Sequence, residues 1–366
     1  MLPSILDWDA IWFASRSLPD FPLVGFNDLP SQRGETQKYI LWEIESAAHL
    51  YGFHPENYKD FFNWTVTYRQ DSTVTLPYGW LNKIKKHPEG EKLKSYIQQF
   101  GKKNKHLAAK ESPRNATVAW MVSNCLTESN REGFVEKLQE FLAVDVYGGC
   151  YEDSLECGRD DANGCWDMIA SKYKFYLSFE NSICKDYVTE KLFDPLQRNI
   201  IPIVLGGANY SEIAPPHSYI DAFKEFSENP KGLAKLLNKI ASNDALYASY
   251  FWWKQFYSVG GFSPQDRAKA PCTVCQMLHQ EKVEQEEVYQ DMKRWWVGEA
   301  NCQGLLYDRK ILDLDDEDED LELDLDDDIE DVDVENMLIH FYGYFPLLYF
   351  VSWNLLIFLH QISFLK

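Results

Sequence analysis

Glu180, Asn181 and Ser182, followed by Tyr187, Glu190 and Lys191, are the densest group of side chains able to hold a polar ligand. They lie in YKFYLSFENSICKDYVTEKLFDPLQRNIIPIVLGGANYSEIAPPHSYID, residues 173 to 221, which reads as strand, polar turn, helix, strand and polar turn. A helix N-terminus offers unpaired N–H groups and a partial positive charge, and Lys191 adds a full charge beside an anion such as phosphate. Glu190 fits poorly beside a diphosphate unless it accepts hydrogen bonds, and ribose or sugar hydroxyls would supply them. The chemistry suggested is binding of a nucleotide that carries a sugar. An ordinary βαβ unit with a solvated, charged helix face would show the same spacing.

The elements that must position these groups follow from the apolar pattern. Tyr173 to Phe179 has the length and aromatic content of a buried strand, with Glu180 to Ser182 at its carboxyl end, where open parallel sheets bind ligands. Asp186 is expected to cap a helix over 187–198 whose buried face is Val188, Leu192, Phe193 and Leu196, with Pro195 kinking or ending it near Asp194. Strands are expected at 117–122, 144–147 and 200–205, and helices at 130–142, 229–241 and 244–257. That alternation implies a parallel sheet covered on both sides. Arg131, in the first turn of its helix, opposes the helix dipole, which makes sense if it grips phosphate from the neighbouring loop. Pairing with Glu128 or Glu132 at the surface is the alternative. Upstream, Asp9 to Phe13 and Tyr39 to Trp42 read as strands, the second leading into Glu43-Ile44-Glu45-Ser46, and Lys102 to Lys110 reads as a basic linker.

At 366 residues the chain has room for two medium domains. Its formal net charge of −21 is dominated by residues 313 to 335, which hold 16 Asp and Glu, so the charge elsewhere is only −5. No basic nucleic-acid footprint is present, and nucleic acid is excluded as a partner. Eight cysteines, among them Cys150, Cys157 and Cys165, and the sequons at Asn63, Asn115 and Asn209 point to an oxidising compartment. No signal peptide or anchor is visible at the N-terminus. Cys272 and Cys275 are expected to form a structural disulfide, ahead of half a zinc site or a redox pair. Residues 311–336 read as an acidic disordered linker, and the DxD triplets there as products of low complexity and not a metal site. Residues 337–366 form an apolar tail in which Phe341 to Leu359 is uncharged and close to the ~20 residues that span a bilayer; a tail anchor, a buried helix and a mistranslated extension all stay open.

Several long motifs in matching order resemble the α1,3-fucosyltransferases of glycosyltransferase family 10, particularly the invertebrate members. They are FFNWTVTYRQDS with PYGWL at 61–81, VAWMVSNC with VDVYGGC at 118–150, FENSICKDYVTEKLF with APPHSYID at 173–221, and YFWWKQFY with CTVC at 250–275. The resemblance covers roughly residues 7 to 280. It implies an α/β fold of two Rossmann-like domains facing each other across a cleft, the GT-B arrangement. Residues 1–110 would form the acceptor-side domain, 115–262 the GDP-fucose domain and 263–310 a C-terminal segment with the CxxC. Family members carry an anchor, a stem and further strands ahead of the one matched by Asp9 to Phe13, so the first sheet is expected to be incomplete.

The resemblance further implies transfer of L-fucose from GDP-fucose to the 3-hydroxyl of GlcNAc in N-glycans or related glycans, with a glycan or glycoprotein as acceptor, in the Golgi membrane or lumen, with no cofactor or metal required. Arg131, Asn181, Tyr187, Glu190 and Lys191 would contact the donor. The family's catalytic base lies in a Glu-Ser-Pro motif, which places it at Glu45 in Ile44-Glu45-Ser46-Ala47. Glu43 competes, since two residues apart on a strand they would share a face; the Ser after Glu45 decides between them. Ala47 in place of the motif's Pro, and Pro195, raise a catalytically inactive glycan- or nucleotide-sugar-binding relative as the alternative. A transferase using another nucleotide sugar is a second one.

Overall fold

The computed structural model describes residues 5–18, 29–50, 52–110, 116–151, 154–156, 162–227, 229–261, 267–279 and 288–306. The sequon at Asn115, the acidic run and the apolar tail lie outside the described residues. Among the described residues, no helix is long and apolar enough to cross a membrane.

The N-terminal half is a parallel sheet of β1 (Ala10–Ala14), β2 (Lys38–Glu43), β3 (Trp64–Thr67) and β4 (Val74–Thr75), in that order. Alternation along β2 sends Tyr39 and Leu41 into one cluster with Phe62 and Trp296, and Ile40 into another with Trp64 and Val66. A parallel sheet needs cover on both faces. Here part of it comes from far along the chain, where the helix Lys269–His279 lays Ala270 and Val274 against Ile40 and Val66.

This helix carries a correction. Cys272 and Cys275 are free, exposed thiols and not the expected disulfide. Their backbone sits inside a regular helix whose buried side is Ala270 and Val274, and Cys275 Sγ lies 3.8 Å from His279 Nδ1. Asn63 is a second correction. It is buried, and its Oδ1 accepts from the Tyr39 N–H at 2.9 Å and from the Arg33 guanidinium, so the amide is folded into the sheet edge where a glycan has no room. Peptide mapping of the secreted chain is expected to find Asn63 unmodified. Asn209 is exposed, as a sequon requires.

The second half is a five-stranded parallel sheet of β6 (Val118–Met121), β7 (Val144–Tyr147), β8 (Phe175–Phe179), β9 (Ile201–Leu205) and β10 (Ile220–Asp221), ordered β10-β9-β8-β6-β7. The helix Arg131–Gln139 connects β6 to β7, and the helix Ala162–Lys172 leads on to β8. Since β7 lies on one side of β6 and β8 on the other, the winding direction reverses between β6 and β8. That switch point opens a crevice at their carboxyl ends.

Two segments join the halves. Strand β5 (Trp80–Lys83) pairs antiparallel with β11 (Tyr257–Gly260), and the helix Gly90–Lys103 packs on the helix Asp244–Ser249. Gly101 permits that approach, because a Cβ there would lie 2.1 Å from the Ala245 carbonyl oxygen. The expected helix over 244–257 therefore stops at Ser249 and continues as a 3-10 turn at Trp252–Gln255, which leaves Tyr257 extended for pairing. Nor is 102–110 a linker. The Lys110 ammonium is folded under the sheet, donating to carbonyls of Ala170, Tyr173 (2.8 Å) and Asn199, and burial, with Lys254 and Lys174 nearby, pulls its pKa down to about 7.

Disulfides pin the crevice from two sides. Cys125–Cys150 ties the loops after β6 and β7, and Cys184–Cys302 ties the loop after β8 to a segment 118 residues away. Closing so long a loop restricts the unfolded chain strongly. Replacing Cys184 and Cys302 together by Ser is expected to lower unfolding free energy by about 2–4 kcal/mol, read as a fall in the denaturant midpoint.

Candidate active site

At the carboxyl end of β8 the Phe179 carbonyl and the Glu180 carboxylate each hold a cation. Arg131, at the first position of its helix, is buried: Nη1 donates to Phe179 O at 2.7 Å and Nη2 to Asn124 O at 3.1 Å, while Nε meets Glu132 Oε1 at 3.3 Å. Its guanidinium carbon lies 5.6 Å from the centre of the Trp120 ring. So Arg131 does pair with Glu132, as the surface alternative had it, yet the pair is internal, and Arg131 lines a cavity.

The second cation is Lys191. Its helix, Glu190–Gln197, starts three residues later than the sequence suggested because Thr189 and not Asp186 is the N-cap. Asp186 instead takes a left-handed conformation, φ 61°, and its carboxylate accepts from the Gln70 N–H in the other half. Pro195 stays within the helix near its end.

Lys191 Nζ donates to Thr189 Oγ1 and Glu190 Oε1, both at 2.9 Å, and lies 3.4 Å from Glu180 Oε2. Burial works against its charge, but Glu180 and Glu190 outweigh that and raise its pKa. Glu190 is about half exposed, 48% for its side chain; burial pushes its carboxyl up, yet the Lys191 charge and hydrogen bonds bring it below the ordinary range. Asn181 Oδ1 is buried and finds no hydrogen-bond partner among the described residues, although it lines the cavity. A buried amide oxygen in that position suits a ligand N–H or O–H.

From the other half, the loop after β2 contributes Glu45. Strand β2 ends at Glu43, so the two carboxylates do not share a face as a continuous strand would have required. Glu43 is buried and turned back, accepting from Ser15 Oγ and from the N–H groups of Ile44 (2.8 Å) and Glu45 (2.7 Å), and burial raises its pKa. Glu45 faces the cavity, where Tyr187 Oη donates to its Oε2 at 3.1 Å. Tyr187 is wedged edge-on against Tyr68 and Tyr78, and burial raises its pKa well above the usual phenol value, so it remains a donor. Beside this contact, the buried Ser46 Oγ donates to Ser182 Oγ at 2.7 Å.

All six residues singled out from the sequence, Glu45, Arg131, Asn181, Tyr187, Glu190 and Lys191, line one cavity of about 390 Å³. It opens at the β6/β8 switch point, with Val122, Ser123 and Asn124 on the β6 side. Sequence reasoning assigned no role to Thr189, Tyr78 or Trp166, and it grouped Glu180 and Ser182 with the ligand-holding side chains although neither lines the cavity. Thr189 was legible in principle, because it directly precedes the apolar repeat Leu192, Phe193, Leu196. Among the described residues no group of three or more His, Cys, Asp or Glu is arranged to hold a metal ion.

Two Rossmann-like sheets whose carboxyl ends meet at one cavity, with a carboxylate on one side and two cations on the other, define a protein of the GT-B class. Residues 111–295 match glycosyltransferase family 10 (fucosyltransferase), C-terminal, and residues 5–79 match fucosyltransferase, N-terminal. The chain is 37% identical over 310 residues to alpha-(1,3)-fucosyltransferase C of Drosophila melanogaster, covering 82% of this chain and 68% of that one. It is 38% identical over 256 residues to glycoprotein 3-alpha-L-fucosyltransferase A of the same organism, covering 68% of this chain and 46% of that one. A crystal structure of an alpha1,3-fucosyltransferase with GDP-fucose aligns with TM-score 0.46 and 15% identity, over 72% of this chain and 82% of the other. The chain belongs to glycosyltransferase family 10, the fucosyltransferases.

Proposed function

We propose that this chain is an inverting α1,3-fucosyltransferase that moves L-fucose from GDP-fucose to the 3-hydroxyl of GlcNAc in a glycan or glycoprotein. The observation that carries the reading is the placement of Glu45 opposite Arg131 and Lys191 in one cavity, each side supplied by a different sheet. Inversion needs a base on the face of the sugar opposite the leaving group, and this layout supplies one.

Glu45 takes the proton of the acceptor 3-hydroxyl as its oxygen forms a bond to the fucose anomeric carbon. The bond from that carbon to the β-phosphate oxygen breaks, and the electron pair leaves with GDP. Arg131, Lys191 and the helix N-terminus at Glu190 meet the charge that grows there. Glu190 and Asn181 bind hydroxyls of ribose or fucose in this reading, which Asn181 Oδ1, unpartnered among the described residues, supports. Residues 1–110 then serve the acceptor and 115–262 the donor. The cross-linked cysteines support a secretory-pathway location, for which the Golgi is the expected compartment.

The test is GDP release by the full secreted chain from GDP-fucose, with and without an N-glycopeptide acceptor, beside a panel of other nucleotide sugars. Acceptor-dependent release specific to GDP-fucose is the expected result. Binding of GDP without turnover under any acceptor would overturn it in favour of an inactive relative.

A further inference from the structure

Glu180 has no role in the chemistry above and does not itself line the cavity, yet its carboxylate is held directly behind two residues that do, Thr189 and Lys191. Its side chain is 1% exposed. Oε1 accepts from the Thr189 N–H at 2.8 Å, Oε2 accepts from Thr189 Oγ1 at 2.8 Å, and Lys191 Nζ lies 3.4 Å from Oε2. Every partner is a donor, which matches an ionised carboxylate; a protonated one would aim an O–H at donors. Its backbone takes part as well, since Glu180 O accepts from Ser129 Oγ at 2.8 Å and Ser129 precedes Arg131 by two residues.

We infer that Glu180 is a positioning residue for donor binding: directly and through Thr189, it fixes the Lys191 ammonium at the start of its helix before the diphosphate arrives. The inference rests on the nucleotide-sugar reading of the cavity. A lysine in a partly buried wall, 18% exposed, tends to lose its charge or swing outward unless an anion holds it. The charged groups facing Lys191 are Glu180 at the end of β8, Glu190 and Asp194 on its own helix, and Arg131 from the helix after β6. Arg131 opposes the ammonium and Glu190 is half exposed, so Glu180 is the fully buried counter-charge. Thr189 links the two rigidly, accepting from Lys191 Nζ while donating to Glu180.

The test is the pH dependence of binding to the full chain, by calorimetry between about pH 6 and 10, with GDP and with inorganic pyrophosphate, which has no guanine, each variant being read against the unsubstituted chain with the same probe so that the probe's own ionisations cancel. In Glu180→Gln, Lys191 loses its buried counter-charge, so its ionisation falls by about one to three pH units. Binding to the protonated lysine is then lost at correspondingly lower pH, while affinity at pH 6 stays within a fewfold of the unsubstituted chain. Thr189→Val, which cuts the relay and leaves the ion pair, moves the alkaline limb part of the way, and Thr189→Ser restores it. If Glu180→Gln does not fold, the contrast between Thr189→Val and Thr189→Ser decides. Uniform weakening at all pH values in these variants, or no change, overturns the inference and leaves the nucleotide-sugar reading standing. Failure of the unsubstituted chain to bind either probe overturns both.

Discussion

Glu45→Gln is expected to lower kcat by about two to four orders of magnitude, with GDP affinity and Tm close to unchanged. The substitution removes the proposed proton acceptor and a partly exposed ion pair with Arg16 at 3.7 Å. Tyr187 Oη, 3.1 Å from Glu45 Oε2, can donate to the amide oxygen as it does to the carboxylate. The side chain is 29% exposed, so no charge is stranded in a dry interior. The control is Glu43→Gln. Glu43 is buried and accepts from Ser15 and two backbone N–H groups, so an amide there points an NH2 at donors. Its expected signature is a lower Tm, with the remaining folded enzyme turning over at an ordinary rate. A large loss of kcat at unchanged Tm in Glu43→Gln, with Glu45→Gln active, would exchange the two assignments.

The loop that separates these carboxylates also shows why the alternatives raised by Ala47 and Pro195 lose ground. Ala47 is buried, its N–H directed at Tyr68 Oη at 3.3 Å, and its neighbour Ser46 is tied to Ser182 across the cleft. The base loop is thus held by hydrogen bonds to both halves instead of by a proline ring. Pro195 stays within the helix near its end; its missing N–H forfeits one bond, to the Lys191 carbonyl, while the Thr189 cap holds the start of the helix that carries Glu190 and Lys191.

Four strands of the five-stranded sheet were legible because each is a short apolar run bounded by polar turns. The fifth, β10, is only Ile220–Asp221 and lies where a polar turn was expected; its pairing with β9 sets it. What the sequence withheld were features set by distant partners. Asp186 and Thr189 are both good caps, and only the Glu180 carboxylate waiting for the Thr189 N–H and hydroxyl selects the second. The sequon at Asn63 reads as surface until the Tyr39 N–H claims its amide oxygen. Glu43 and Glu45 could not be told apart from spacing because the end of β2 is set by pairing with β3, which stops at Glu43 opposite Thr67. Lys110, called linker from its neighbours' charge, is recruited by carbonyls 60 to 89 residues away.

Arg131→Met is expected to produce two large effects with separable origins. The guanidinium satisfies the carbonyls of Phe179 and Asn124 and neutralises Glu132, whose side chain is 6% exposed. Breaking a buried pair from one side costs about 3–5 kcal/mol of stability, although Glu132 keeps its hydrogen bond from Thr127 Oγ1 at 3.0 Å. Independently, if Arg131 is a fixed donor to the leaving diphosphate as proposed, its loss costs about 10²–10³ in kcat. Adding Glu132→Gln removes the stranded charge, so the double variant is expected to recover most of the Tm while kcat stays low. Recovery of both would mean that Arg131 acts only by holding the crevice together. Recovery of neither would mean that the Phe179 and Asn124 carbonyls, left without their donor, are what the fold at the β6/β8 switch point depends on.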